Sequence, residues 1–151
     1  MKIVEATILF ESLKSNTSKK YELKIYESFI GILLDLENRK LSAEQLQLIE
    51  EELDVLDLKT DVDNRKKYLS RKLEKFKKFL KDEFLLIPEG YYSTLGISIG
   101  ISFGVVFGVV FDKSIGITYG ISLGLILGMI IGKLLDSNAE KHNRVLKIKK
   151  K

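Results

Sequence analysis

Residues 93–132 read STLGISIGISFGVVFGVVFDKSIGITYGISLGLILGMIIG, and this stretch decides the fold. Its first apolar run, Ser93 to Phe111, has 19 residues; Asp112-Lys113-Ser114 interrupts it, and a second run, Ile115 to Gly132, has 18. At about 1.5 Å per residue, each run spans roughly 28 Å as an α-helix, close to the ~30 Å hydrocarbon core of a bilayer. Large and small residues alternate, with Leu95, Ile97, Ile99, Ile101 and Phe103 set against Gly96, Ser98, Gly100, Ser102 and Gly104. A period of two also suits the stem of a β-barrel pore. Length decides against it: a strand of this size would reach about 60 Å, whereas a membrane strand needs about 9–11 residues. Glycine at every fourth place would also weaken a strand. The expectation is two transmembrane helices, 93–111 and 115–132, joined by a turn at 112–114.

Nine of the eleven glycines lie in this stretch. Gly96, Gly100, Gly104 and Gly108 are four apart, and Gly116, Gly120, Gly124, Gly128 and Gly132 keep the same phase, with Asp112 in the skipped place. Spacing of four lays glycines along one helical ridge, so two backbones can approach and gain dispersion and Cα–H···O contacts. In lipid such packing matters, because burying apolar surface gives little drive for association. The four-residue repeat favours a right-handed crossing near about −40°. A second repeat, offset by 20 residues, aligns Thr94–Gly108 with Ser114–Gly128.

The hydroxyls form another ridge. Thr94, Ser98 and Ser102 stand two residues off the glycines, as do Ser114, Thr118 and Ser122. That is about 200° around the helix. In an antiparallel hairpin the two sets occupy opposite halves of the bilayer. Thr94, Ser98, Ser102, Thr118 and Ser122 are therefore candidate pore-lining residues. The plainer alternative has each hydroxyl bonding a carbonyl four residues back or on a neighbouring helix.

Charge is distributed around the apolar stretch. Residues 1–64 carry eight Lys/Arg against fourteen Asp/Glu. Residues 65–81 carry nine basic groups against Glu74 alone, and residues 133–151 carry seven against two acidic groups. Only Lys113 is basic in the turn, so the positive-inside rule places both termini in the cytoplasm. Tyr91 and Tyr92 stand where an interfacial aromatic anchor belongs. The start, MKIVEATILFESLK, has Glu5 and Glu11 where a signal peptide needs an apolar core, so the N-terminus is expected to remain cytoplasmic.

The first 90 residues read as mostly helical: an acidic domain over 1–60 and a basic juxtamembrane helix over 61–90. In 21–37, Leu23, Tyr26, Ile30 and Leu33 share a face that Ile25, Phe29, Ile32 and Leu36 widen. Ser42 with Gln45 forms a capping box, and Leu41 with Leu46 a hydrophobic staple. Leu46, Ile49, Leu53 and Leu56 follow a stripe. Met1–Leu13 suits a helix or a strand. The long helix is expected from near Asp61 to about Leu86, with Leu69, Leu73, Phe76 and Leu80 inside and Pro88-Glu89-Gly90 ending it.

The outer face of that helix carries Lys66, Lys67, Arg71, Lys72, Lys75, Lys77, Lys78 and Lys81. Three readings stay open: a solvated face that sets topology, a contact for anionic lipid headgroups, and a site for a nucleotide or nucleic-acid ligand. With no cysteine, disulfides and thiol chemistry are excluded. No phosphate-binding glycine loop is present, and His142 stands in a polar tail, so no enzyme, metal or cofactor is expected.

The glycines Gly96 to Gly132, behind a small charged helical domain, resemble the small bacterial glycine-zipper membrane proteins. Two-helix chains of this size are also similar to the membrane effectors of bacterial anti-phage systems, which implies an antiviral defence role at the inner membrane. The resemblance implies a homo-oligomeric, all-α protein: glycine ridges pack the subunits, hydroxyls face a pore or ion channel, and cytoplasmic helices, coiled together, gate it when a cytosolic signal or partner arrives. The alternatives are a membrane anchor or adaptor that recruits a partner without conducting, and a ligand-binding module tethered to lipid.

Overall fold

The computed structural model describes residues 1–58, 65–111 and 116–148. Its helices are α1 (Ile3–Ser15), α2 (Lys20–Glu37), α3 (Ala43–Val55), α4 (Arg65–Phe84), α5 (Tyr91–Phe111) and α6 (Gly116–Lys141). Two short strands, β1 (Ile87–Pro88) and β2 (Val145–Leu146), pair with each other. Among the described residues the chain is all-α, as expected, apart from this one pairing. The start expected near Asp61, the turn at 112–114 and the last three lysines lie outside the described residues. The chain divides into two compact units: Met1–Leu86 with the tail from Leu146, and Ile87–Val145.

In the first unit, apolar periodicity sets which faces turn inward. The ambiguous start is helical, with Ile3, Ala6, Thr7 and Phe10 buried. α2 buries Ile25, Tyr26, Phe29, Ile32, Leu33 and Leu36. Ser42 caps α3, its Oγ accepting from the Gln45 N–H at 3.2 Å, while the Gln45 side chain accepts from the Ser42 N–H at 3.0 Å. Ile49, Leu53 and Leu56 are buried, but Leu46, expected in the stripe and staple, is 37% exposed. α4 buries Leu69, Leu73, Phe76 and Leu80. Phe10 stacks on Phe29 at 4.2 Å between centroids, and Phe29 on Phe76 at 6.3 Å, so one aromatic column ties α1, α2 and α4.

The basic tail beyond residue 132 is structured over its described residues. α6 continues to Lys141, and Leu146 is buried in the first unit's core with Ile148 packed against it. Gly31 in α2 makes room: a Cβ there would lie 2.8 Å from Ile148 Cγ2.

Helix ends are set by left-handed residues. α4 stops before Pro88, because Leu85 takes φ 56° and the Leu86 N–H returns to the Leu80 carbonyl at 3.1 Å. α6 stops at Asn143, also at φ 56°, with the Arg144 N–H on the Ala139 carbonyl and the Asn143 N–H on the Glu140 carbonyl, both 2.9 Å. This pair of bonds is a Schellman motif.

Candidate functional site

In the second unit, α5 and α6 run antiparallel and meet along their glycines. A Cβ built on Gly96 would collide with the Gly128 carbonyl oxygen, one on Gly100 with that of Gly124, one on Gly104 with that of Gly120, and one on Gly108 with that of Gly116. Gly120, Gly124 and Gly128 meet the carbonyls of Gly104, Gly100 and Gly96 in return. Gly132 completes the ladder against Ser93, whose Cα would stand 2.5 Å from an added Cβ. Contact thus persists along the whole span, whereas two straight helices crossing near −40° would part away from one crossing point. The two glycine ridges face each other within one chain.

Away from this interface the surface is apolar and open. Phe103 is 59% exposed and Leu127 58%. Leu95, Ile99 and Phe103 of α5, with Tyr119, Leu123 and Leu127 of α6, wall a groove of about 730 Å³ floored by the glycines. Both helices are long and apolar enough to cross a membrane, and an exposed apolar surface of this extent belongs in lipid.

Thr94, Ser98, Ser102, Thr118 and Ser122 are exposed, turned away from the glycine contact. Four of them donate to the carbonyl four residues back: Thr94 to Gly90, Ser98 to Thr94 and Ser102 to Ser98, each at 2.9 Å, and Ser122 to Thr118 at 2.8 Å. These bonds satisfy the protons and leave oxygen lone pairs facing outward.

One residue of this unit escaped the sequence reading. Asp136 Oδ1 accepts from the Tyr92 N–H and Oδ2 from the Ser93 N–H, each at 2.9 Å. Gly90, just before α5, has φ +72° and no side chain with which to cap the helix. The carboxylate arriving from α6 supplies the missing acceptor for the first turn. A signal was present: Asp136 is the next place in the glycine phase after Gly132.

The basic side chains of α4 have different neighbours along the helix. Lys75 Nζ lies 3.5 Å from Glu52, Lys77 2.9 Å from Glu74 and Lys81 3.9 Å from Asp82, while Lys72 sits 4.9 Å above the Tyr68 ring. Lys78 is exposed elsewhere on the helix. Lys66, Lys67 and Arg71 come together around a separate cavity with Tyr21 and Ser70, two residues that charge counting missed.

Residues 92–138 match the model of the family described as "Glycine zipper membrane protein". Neither the curated proteins nor the solved structures give a match to the chain. The ladder of facing glycines, the two apolar helices and this match agree: residues 92–138 form a membrane hairpin similar to that of the glycine zipper membrane proteins.

Proposed function

We propose that the hairpin is the membrane-spanning part of an oligomeric pore, triggered through its N-terminal helical unit and carrying no catalytic step. The supporting observation is the position of Thr94, Ser98, Ser102, Thr118 and Ser122 on the side of each helix opposite the glycine contact. The glycine interface leaves no room for a lumen inside one hairpin, so a conducting path has to lie between hairpins. There the two hydroxyl sets would line opposite halves of the path. In this reading the protein sits in a bacterial inner membrane with both ends cytoplasmic, following the distribution of Lys and Arg, and permeabilises it when a signal arrives.

Reconstitution into dye-loaded liposomes tests the proposal. Leakage or single-channel current is expected from a ring of four or more subunits, and altered ion selectivity from Ser98→Ala with Ser102→Ala. Assembled protein that never conducts would count against it. The second reading is a non-conducting anchor that holds the helical unit at the membrane to recruit a partner. The hydroxyl bonds to the helix's own carbonyls favour it, since they lower the need for a wet neighbour. A monomer or dimer with a dry interior would be its signature.

A further inference from the structure

Tyr21 at the start of α2 and Lys66, Lys67, Ser70 and Arg71 in the first two turns of α4 line a cavity of about 350 Å³. Small-molecule sites occupy roughly 300–1,000 Å³. Lys66 Nζ lies 3.9 Å above the Tyr21 ring, so both helices build the wall. The residues on α4 follow from spacing: 66 with 70 and 67 with 71 are four apart and share one face.

Lys67 and Arg71 are like charges four residues apart, as are Arg71 with Lys75 and Lys77 with Lys81, an arrangement that weakens an isolated helix. Further along α4, Lys75, Lys77 and Lys81 face Glu52, Glu74 and Asp82. Among the described residues no carboxylate lines the cavity and Arg71 has no ion-pair partner. Glu22, next to Tyr21, is occupied by the Thr17 hydroxyl at 2.8 Å and by Lys19 at 3.5 Å.

We infer that this cavity binds a phosphate-bearing ligand. Arg71 offers a planar fork for two phosphate oxygens, Lys66 adds a point charge, and the Ser70 and Tyr21 hydroxyls add neutral donors. Such a ligand bridges α2 and α4 and stabilises the unit that contains them. The phosphate comes from a soluble polyphosphate compound or from a lipid headgroup; both present the same oxygens. The inference stands apart from pore formation, because a chain that binds phosphate without conducting keeps one and loses the other.

The test uses the full chain in phosphatidylcholine nanodiscs, titrated with inorganic tripolyphosphate and followed by calorimetry and thermal midpoint. A second arm replaces the discs with phosphatidylcholine–phosphatidylglycerol discs. A rise in midpoint in the first arm assigns the site to soluble phosphate, in the second to headgroups, and in both to the phosphate group itself. Lys66→Gln with Arg71→Gln is expected to weaken binding at least about tenfold, while Lys78→Gln leaves it unchanged. Should the double variant fail to fold, Lys66→Gln and Ser70→Ala singly carry the comparison. No rise in either arm, or equal loss on Lys78→Gln, overturns the inference.

Discussion

The Asp136 carboxylate on α6 accepts the main-chain N–H of Ser93 at 2.9 Å, closing the first turn of α5 from across the hairpin. Its other oxygen takes the Tyr92 N–H at the same distance. Gly132, one helical turn before Asp136, allows this approach by packing a bare backbone against Ser93. Asp136→Ala is expected to cost the hairpin about 1–2 kcal/mol, the usual value of a lost N-terminal cap, and Asp136→Asn less, since one acceptor oxygen remains. Amide exchange at Tyr92 and Ser93 measures this; unchanged exchange in Asp136→Ala would remove the cap from the account.

The glycine ladder makes a sharper demand. At Gly100 a side-chain carbon would lie 2.8 Å from the Gly124 carbonyl carbon and closer still to its oxygen. Backbone on both sides cannot yield as a flexible side chain does. Gly100→Ala is expected to force the helices apart at a cost of about 1–3 kcal/mol, and Gly100→Leu to do more. The chain has no native cysteine, so spin labels at introduced cysteines replacing Val106 and Ile126 report the separation cleanly. Val110→Ala, at a position 75% exposed, serves as a control that leaves the distance unchanged.

Leu85 and Asn143 end their helices at the same φ of 56°. Asparagine tolerates this conformation, whereas leucine pays about 1–2 kcal/mol for it. Leu85 is 59% exposed, so little packing is lost on replacing it. Leu85→Asn is expected to stabilise the N-terminal unit by about 0.5–1 kcal/mol. A urea midpoint that falls on this substitution would show that the leucine side chain contributes more than its exposure implies.

The Thr17 hydroxyl, donating to Glu22 at 2.8 Å and helped by the positive charge of Lys19, holds the Glu22 carboxyl below its ordinary value. A carboxyl lowered in the folded state contributes stability at neutral pH and loses it as pH falls through that lowered value. Unfolding midpoints of the wild type are therefore expected to drop on the acid side more steeply than those of Glu22→Gln or Thr17→Val. Parallel acid limbs in all three proteins would contradict this.

Much of the architecture was legible in the chain itself. The two spans follow from run length against bilayer thickness, and the Ser42–Gln45 cap and the inner face of α4 follow from short-range chemistry and a period of 3.6. The glycine phase was visible as well. Its partner was not, because the same bare ridge can serve a neighbouring subunit or the other half of a hairpin. Only the antiparallel fold set Gly100 against Gly124 and carried Asp136 to the start of α5. Tyr21 and Ser70 were silent for the same reason: a tyrosine on α2 meets Lys66 on α4 only when tertiary packing brings together residues far apart in sequence. Local pattern determines which face of a helix is bare, apolar or charged; what that face meets depends on long-range closure, and a one-dimensional repeat carries no distance to its partner.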